Sequence, residues 1–103
     1  YLSKKHRDAR GFGCPMAALA SDLPRLPEPA REQFADGVRR STARLGEKLA
    51  VLGHAGADVV ARSVIAELIG ALSLARIESD AKRSDGILAA SREQLKSRLG
   101  LQA

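Results

Sequence analysis

The chain has 103 residues and a mass of 10.9 kDa, enough for one domain and too little for two with separate cores. Apolar residues make up 45% and charged residues 28%, a globular rather than a disordered composition, and no apolar run is long enough to span a bilayer. The net charge of +5 is concentrated in Lys4, Lys5, Arg7 and Arg10, a basic tail on a near-neutral body. With Tyr1, Phe12 and Phe34 as its aromatics, such a chain makes a poor nucleic-acid stripe.

The start at Tyr1-Leu2-Ser3, with no initiator Met and no apolar run behind the first basic residues, reads as a piece of a longer protein without a signal peptide. The single cysteine, Cys14, forbids an internal disulfide and a cysteine zinc cage, so the chain reads as cytoplasmic. His6 and His54 lie at no metal-ligand spacing.

Helix signals dominate, and no run alternates at period two long enough to be a strand. Residues 1–6 read as the frayed end of a helix, followed by a charged loop from Arg7 to Gly13. Cys14 as cap and Pro15 at the first helical position start a short helix that buries Met16, Leu19 and Leu23. The prolines 24, 27 and 29 then enforce a stiff connector.

The spacing predicts an amphipathic helix over 29–52. Ala30, Phe34, Val38, Ser41, Leu45, Leu49 and Leu52 share an arc of ~100°, and Asp36 and Arg40 pair at i,i+4 on the other side. Gly53 supplies a left-handed stop. A fourth helix, over 57–77, has a broad apolar face of Val60, Val64, Leu68, Ala71, Leu72 and Ala75. Its remaining side carries Ala66, Gly70, Ser73 and Ile77 and little charge, so the helix is expected to be buried nearly all round, that side lying against a second copy. The alternative is that bulky side chains of the preceding helix fill it. The last helix is expected to start at a Ser84 cap with Asp85 in its first turn, to place Ile87, Leu88, Leu95 and Leu99 on one face, and to end at Gly100. Short loops make successive helices antiparallel neighbours.

No catalytic constellation assembles, so the chain does not read as an enzyme, and no cofactor is called for. Glu67, a carboxylate within a mostly apolar helix, is expected to pair with Arg62 or Arg76. Gly11-Phe12-Gly13 follows no strand and does not read as a phosphate loop. Cys14 at a helix N-terminus near Lys4, Lys5 and Arg7 is a candidate reactive thiol, against the reading of a small capping residue that packs inward.

Tyr1-Leu2-Ser3, His6-Arg7-Asp8 and Gly13-Cys14-Pro15 with Ala17-Ala18-Leu19, then Gly70-Ala71-Leu72-Ser73-Leu74-Ala75-Arg76 and Ser84-Asp85 with Ile87-Leu88-Ala89-Ala90, Arg92 and Leu95, resemble the C-terminal domain of TetR/AcrR-type transcriptional regulators over essentially the whole chain. The resemblance implies an all-α, antiparallel domain of about four helices, whose last two form a four-helix dimer bundle with their symmetry mates. It also implies a small-molecule pocket among the earlier helices, with repression relieved when a ligand binds. DNA would be read by an N-terminal helix-turn-helix domain that this fragment lacks.

The expected function is therefore an effector-sensing homodimerisation domain of a repressor. The expected pocket lies near Met16, Leu19, Phe34, Val38 and Leu68 and takes a mostly apolar effector. The expected dimer contacts are Ala66, Gly70, Ser73 and Ile77 with Ile87, Leu88, Leu95 and Leu99. A helical interaction module without a ligand is the alternative, and a thiol-reactive sensor or enzyme using Cys14 a third.

Overall fold

A computed structural model of the protein describes residues 1–8, 25 and 27–100. Among them every regular element is helical, and four helices follow one another: α1 (Lys4–Asp8), α2 (Glu28–Val51), α3 (Ala57–Ile77) and α4 (Ala81–Leu99). The short helix expected after Cys14, together with most of the proline connector, lies outside the described residues.

Helix α2 starts after Pro27, in an extended conformation at φ −54° and ψ 149°, and Pro29 occupies its first turn, where an N–H has no helical partner to lose. It ends as the sequence expects, at Gly53, which takes φ +89°. The Gly53 N–H donates to the Ala50 carbonyl and the His54 N–H to the Leu49 carbonyl, both at 3.0 Å, so two of the orphan carbonyls of the last turn are satisfied. Gly56, also left-handed at φ +62°, turns the chain into α3. The connection from α3 to α4 is only Glu78-Ser79-Asp80.

That elbow corrects one expected boundary. Helix α4 begins at Ala81, and its cap is Asp80, whose carboxylate accepts from the Arg83 N–H at 2.8 Å. Ser84 sits one turn inside the helix and is buried; its hydroxyl donates to the Ala75 carbonyl of α3 at 2.7 Å. Both Ser84-Asp85 and Ser79-Asp80 carry capping chemistry, and packing on α3 selects the earlier one. The N-terminus departs too: Arg7 and Asp8 belong to α1 rather than to a loop.

Helix α3 is the centre of the molecule. Helix α2 packs on it from one side and α4 from the other, and α1 docks on it as well. Val64, Ala71, Leu72 and Ala75 of α3 close the core with Leu88 and Leu95 of α4 and with Leu2, which precedes α1. Leu72 and Leu88 are enclosed almost completely. Val60 and Leu68, from the same expected face, pack half-buried against this cluster. On α2 the expected arc contributes Leu49, fully covered, and Leu45, partly covered, whereas Leu52 lies beyond the helix and is 66% exposed. Small residues mark the approach of α2 to α3, where Gly46 lies against Ala61 and the first turn of α3.

Among the described residues α3 keeps one side open, the side that the sequence reading places against a second copy. Val59, Leu74 and Ile77 are 67%, 57% and 75% exposed. Two flanking helices cover only part of a helix's circumference, and one side is left to solvent. No helix of the described residues is long and apolar enough to cross a membrane.

Candidate ligand groove and association face

The five-residue α1 is too short to hold itself, and side chains fix it to the elbow between α3 and α4. The Arg7 guanidinium, mostly buried, reaches from one nitrogen to the Ser84 hydroxyl at 2.8 Å and to the Asp85 carboxylate at 2.6 Å. Lys4 adds a second cation 3.3 Å from Asp85. In return, Arg76 of α3 donates to the Arg7 carbonyl at 3.0 Å. The hydrogen bond from Arg7, reinforced by Lys4, holds the Asp85 carboxyl below its ordinary value of 3.8. Two turns further along α4, Arg92 donates to the Leu2 carbonyl at 2.8 Å, and the Leu2 side chain enters the core. Residues 1–8 are thus tied to α3 and α4 by apolar and charge-assisted contacts together.

This docking forms one wall of a groove of about 410 Å³. Its floor is apolar: Leu45 of α2, Val64 and Leu68 of α3, Leu95 and Leu99 of α4. Tyr1, Leu2 and Ser3 bound one side, and Arg92 and Lys96, one turn apart on α4, stand on another. A second groove, of about 480 Å³, runs between α2 and α3 past Val38, Thr42 and Ala43, with Arg39, Asp58 and Arg62 around it.

The described members of the expected pocket, Phe34, Val38 and Leu68, are not brought to one place. Leu68 lines the first groove and Val38 the second; half-buried Phe34 borders neither. Met16 and Leu19 lie outside the described residues, as does the candidate thiol Cys14. Sequence reasoning missed Leu45, Leu95 and Leu99 as groove residues because each also reads as ordinary core, and it missed Arg92 and Lys96 because a solvated helix face explains them equally well.

The expected association residues divide in the same way. Ala66 and Ile77 of α3 face outward, with Gly70 and Ser73 half-covered on the same stripe. Leu88 and Leu95 do not face outward. They are 1% and 7% exposed, because the apolar face of α4 is used to cover α3. Ile87 and Leu99 lean on the same core and are half-buried. The side that α4 leaves open carries Gly86, Ala90, Glu93 and Ser97 instead.

Two further side chains find partners that their own helices did not announce. Glu67 pairs with Arg98 of α4 at 2.7 Å, rather than with Arg62 or Arg76, since the antiparallel crossing brings the end of α4 beside the middle of α3. His54, in the loop after α2, lies with its Nε2 3.1 Å from the Leu99 carbonyl at the end of α4. Among the described residues no three His, Cys, Asp or Glu side chains gather as a metal site would require. No family model, curated protein or solved structure matches the chain.

Proposed function

We propose that this chain is the effector-sensing and homodimerisation domain of a TetR-type transcriptional regulator, a repressor released when a small, mostly apolar molecule binds. In this reading a helix-turn-helix domain preceding the segment in the parent protein contacts DNA, and this chain supplies the dimer and the ligand site in the cytoplasm.

The observation that carries the reading is the outward side of α3. Val59, Ala66, Gly70, Ser73 and Ile77 recur at helical spacing on one stripe, apolar at its ends and small at its centre. A Cβ built on Gly70 meets nothing within 4 Å among the described residues, so their packing does not require glycine there. Close approach of another helix does. Pairing α3 and α4 with their symmetry mates covers this stripe and the outward side of α4 in a two-fold bundle. A stable contact of this kind removes at least ~1,200 Å² from water.

Sedimentation velocity at micromolar concentration tests it. The chain should run as a dimer, and Gly70→Leu should weaken association more than tenfold without lowering the unfolding temperature of the monomer. A single species at the monomer mass overturns the reading. The openness of both grooves favours a second reading, a helical interaction module that takes no ligand, which shares the dimer but binds no small molecule.

A further inference from the structure

We infer that the groove between the N-terminal segment and α4 takes an amphipathic anion, a medium-chain alkyl carboxylate, with its tail on the apolar floor and its head group at Arg92 and Lys96. The inference rests on the effector-sensing reading and assigns that effector a site and a chemical class.

The floor sets the tail. Leu45, Leu68 and Leu99 are only half-covered by their own chain, and each turns carbon toward the groove beside the buried Val64 and Leu95. Apolar surface left in a concavity of about 410 Å³ is the ordinary lining of a small-ligand site.

The rim sets the head. None of the described residues lining the groove is acidic. Arg92 and Lys96 stand on the same side of α4 at i,i+4, so two cations border one end of an apolar trough. Arg92 spends one nitrogen on the Leu2 carbonyl, which holds its guanidinium in place, and no carboxylate among the described residues engages it. Lys96 pairs with Glu93 on its own helix, but only loosely, at 3.9 Å and beyond hydrogen-bonding distance. The contrast lies two residues on, where Arg98 is engaged by Glu67 and Ser63. A ligand carboxylate gives Arg92 an acidic partner and Lys96 a closer one than Glu93, and a planar guanidinium suits it geometrically. A second copy of the chain is a poorer occupant, because the groove includes none of the outward residues Ala66, Gly70, Ser73 and Ile77 of α3.

The test is isothermal titration of the full chain with decanoate, decanol and decyltrimethylammonium, each below its aggregation concentration. Decanoate should bind about tenfold more tightly than decanol, the worth of one charge-assisted hydrogen bond, and the cation should bind least. The double variant R92Q/K96Q should bring decanoate to the level of decanol and leave decanol binding unchanged. Should R92Q loosen the N-terminal segment through the lost Leu2 contact, K96Q alone, which disturbs no backbone bond, should still reduce decanoate binding about threefold at an unchanged unfolding temperature. Equal binding of decanoate and decanol, indifferent to both substitutions, overturns the inference and leaves apolar effector sensing standing. Binding of none of the three overturns the inference; if a screen of uncharged apolar compounds also shifts neither unfolding temperature nor association, the sensing reading falls with it.

Discussion

Replacing Arg7 by alanine removes the side chain that fastens α1 to the rest of the molecule. Its contacts to the Ser84 hydroxyl at 2.8 Å and to Asp85 at 2.6 Å go with it, along with the packing of a mostly buried arginine stem. Ser84 is not orphaned, because its hydroxyl still donates to Ala75. The loss is then that of a charge-assisted hydrogen bond and some apolar cover, about 2 kcal/mol. For a domain of this size that corresponds to a fall of about 10 °C in unfolding temperature. The loss has a ceiling. Once it exceeds the free energy that docks residues 1–8, the segment detaches and the global transition stops responding.

Urea unfolding followed by circular dichroism, with hydrogen exchange at the Arg7 amide, separates these outcomes. That amide is bonded to the Ser3 carbonyl at 3.0 Å and is protected only while α1 persists. Either the midpoint falls at unchanged slope, or the amide loses protection while α3 and α4 hold. Lys5→Ala, at an exposed position on the same helix, is the control and should change neither. If Arg7→Ala matches Lys5→Ala in both measurements, the clasp contributes nothing and the account of α1 is wrong.

Two more outcomes follow from local geometry. Asp85 has its carboxyl lowered below 3.8 by Arg7 and Lys4, so the folded state holds fewer protons on it than the unfolded state. Its contribution is complete above the ordinary carboxylate value and is lost as pH falls through the lowered one; Asp85→Asn should therefore flatten the acid limb of a stability-against-pH curve and leave that limb's other contributors in place. Gly53→Ala forces a side chain into φ +89° with no steric neighbour to blame, and should cost about 1–2 kcal/mol in urea unfolding, whereas the same change at Gly86, inside α4 with open space at its Cβ, should stabilise slightly.

What the sequence determined by itself is local. The apolar period placed α2 and α3 within a residue of their observed ends and picked the α3 face that enters the core, because side chains three and four apart share a side whatever surrounds the helix. Gly53 and Gly100 were legible as stops for the same reason, since a left-handed residue is a property of the backbone. The Asp36–Arg40 pair, one turn apart, formed as spacing alone required.

Everything that depends on how helices cross was decided by the tertiary structure. Ser84 carries a capping side chain, and only the placement of α4 against α3 shows that Asp80 caps while Ser84 bridges inward. Leu88 and Leu95 share a periodic face with Ile87 and Leu99, and periodicity cannot say whether such a face meets its own chain or a second copy; the single three-residue elbow folds it onto α3. Glu67 found Arg98 rather than a neighbour on its own helix, and Arg7 found Ser84 and Asp85, 77 and 78 residues away. Helical periodicity fixes the side of a helix on which a residue lies, but the depth at which two helices pack and the register in which they cross are set jointly by both partners. The groove and its two cations exist only once that register is chosen.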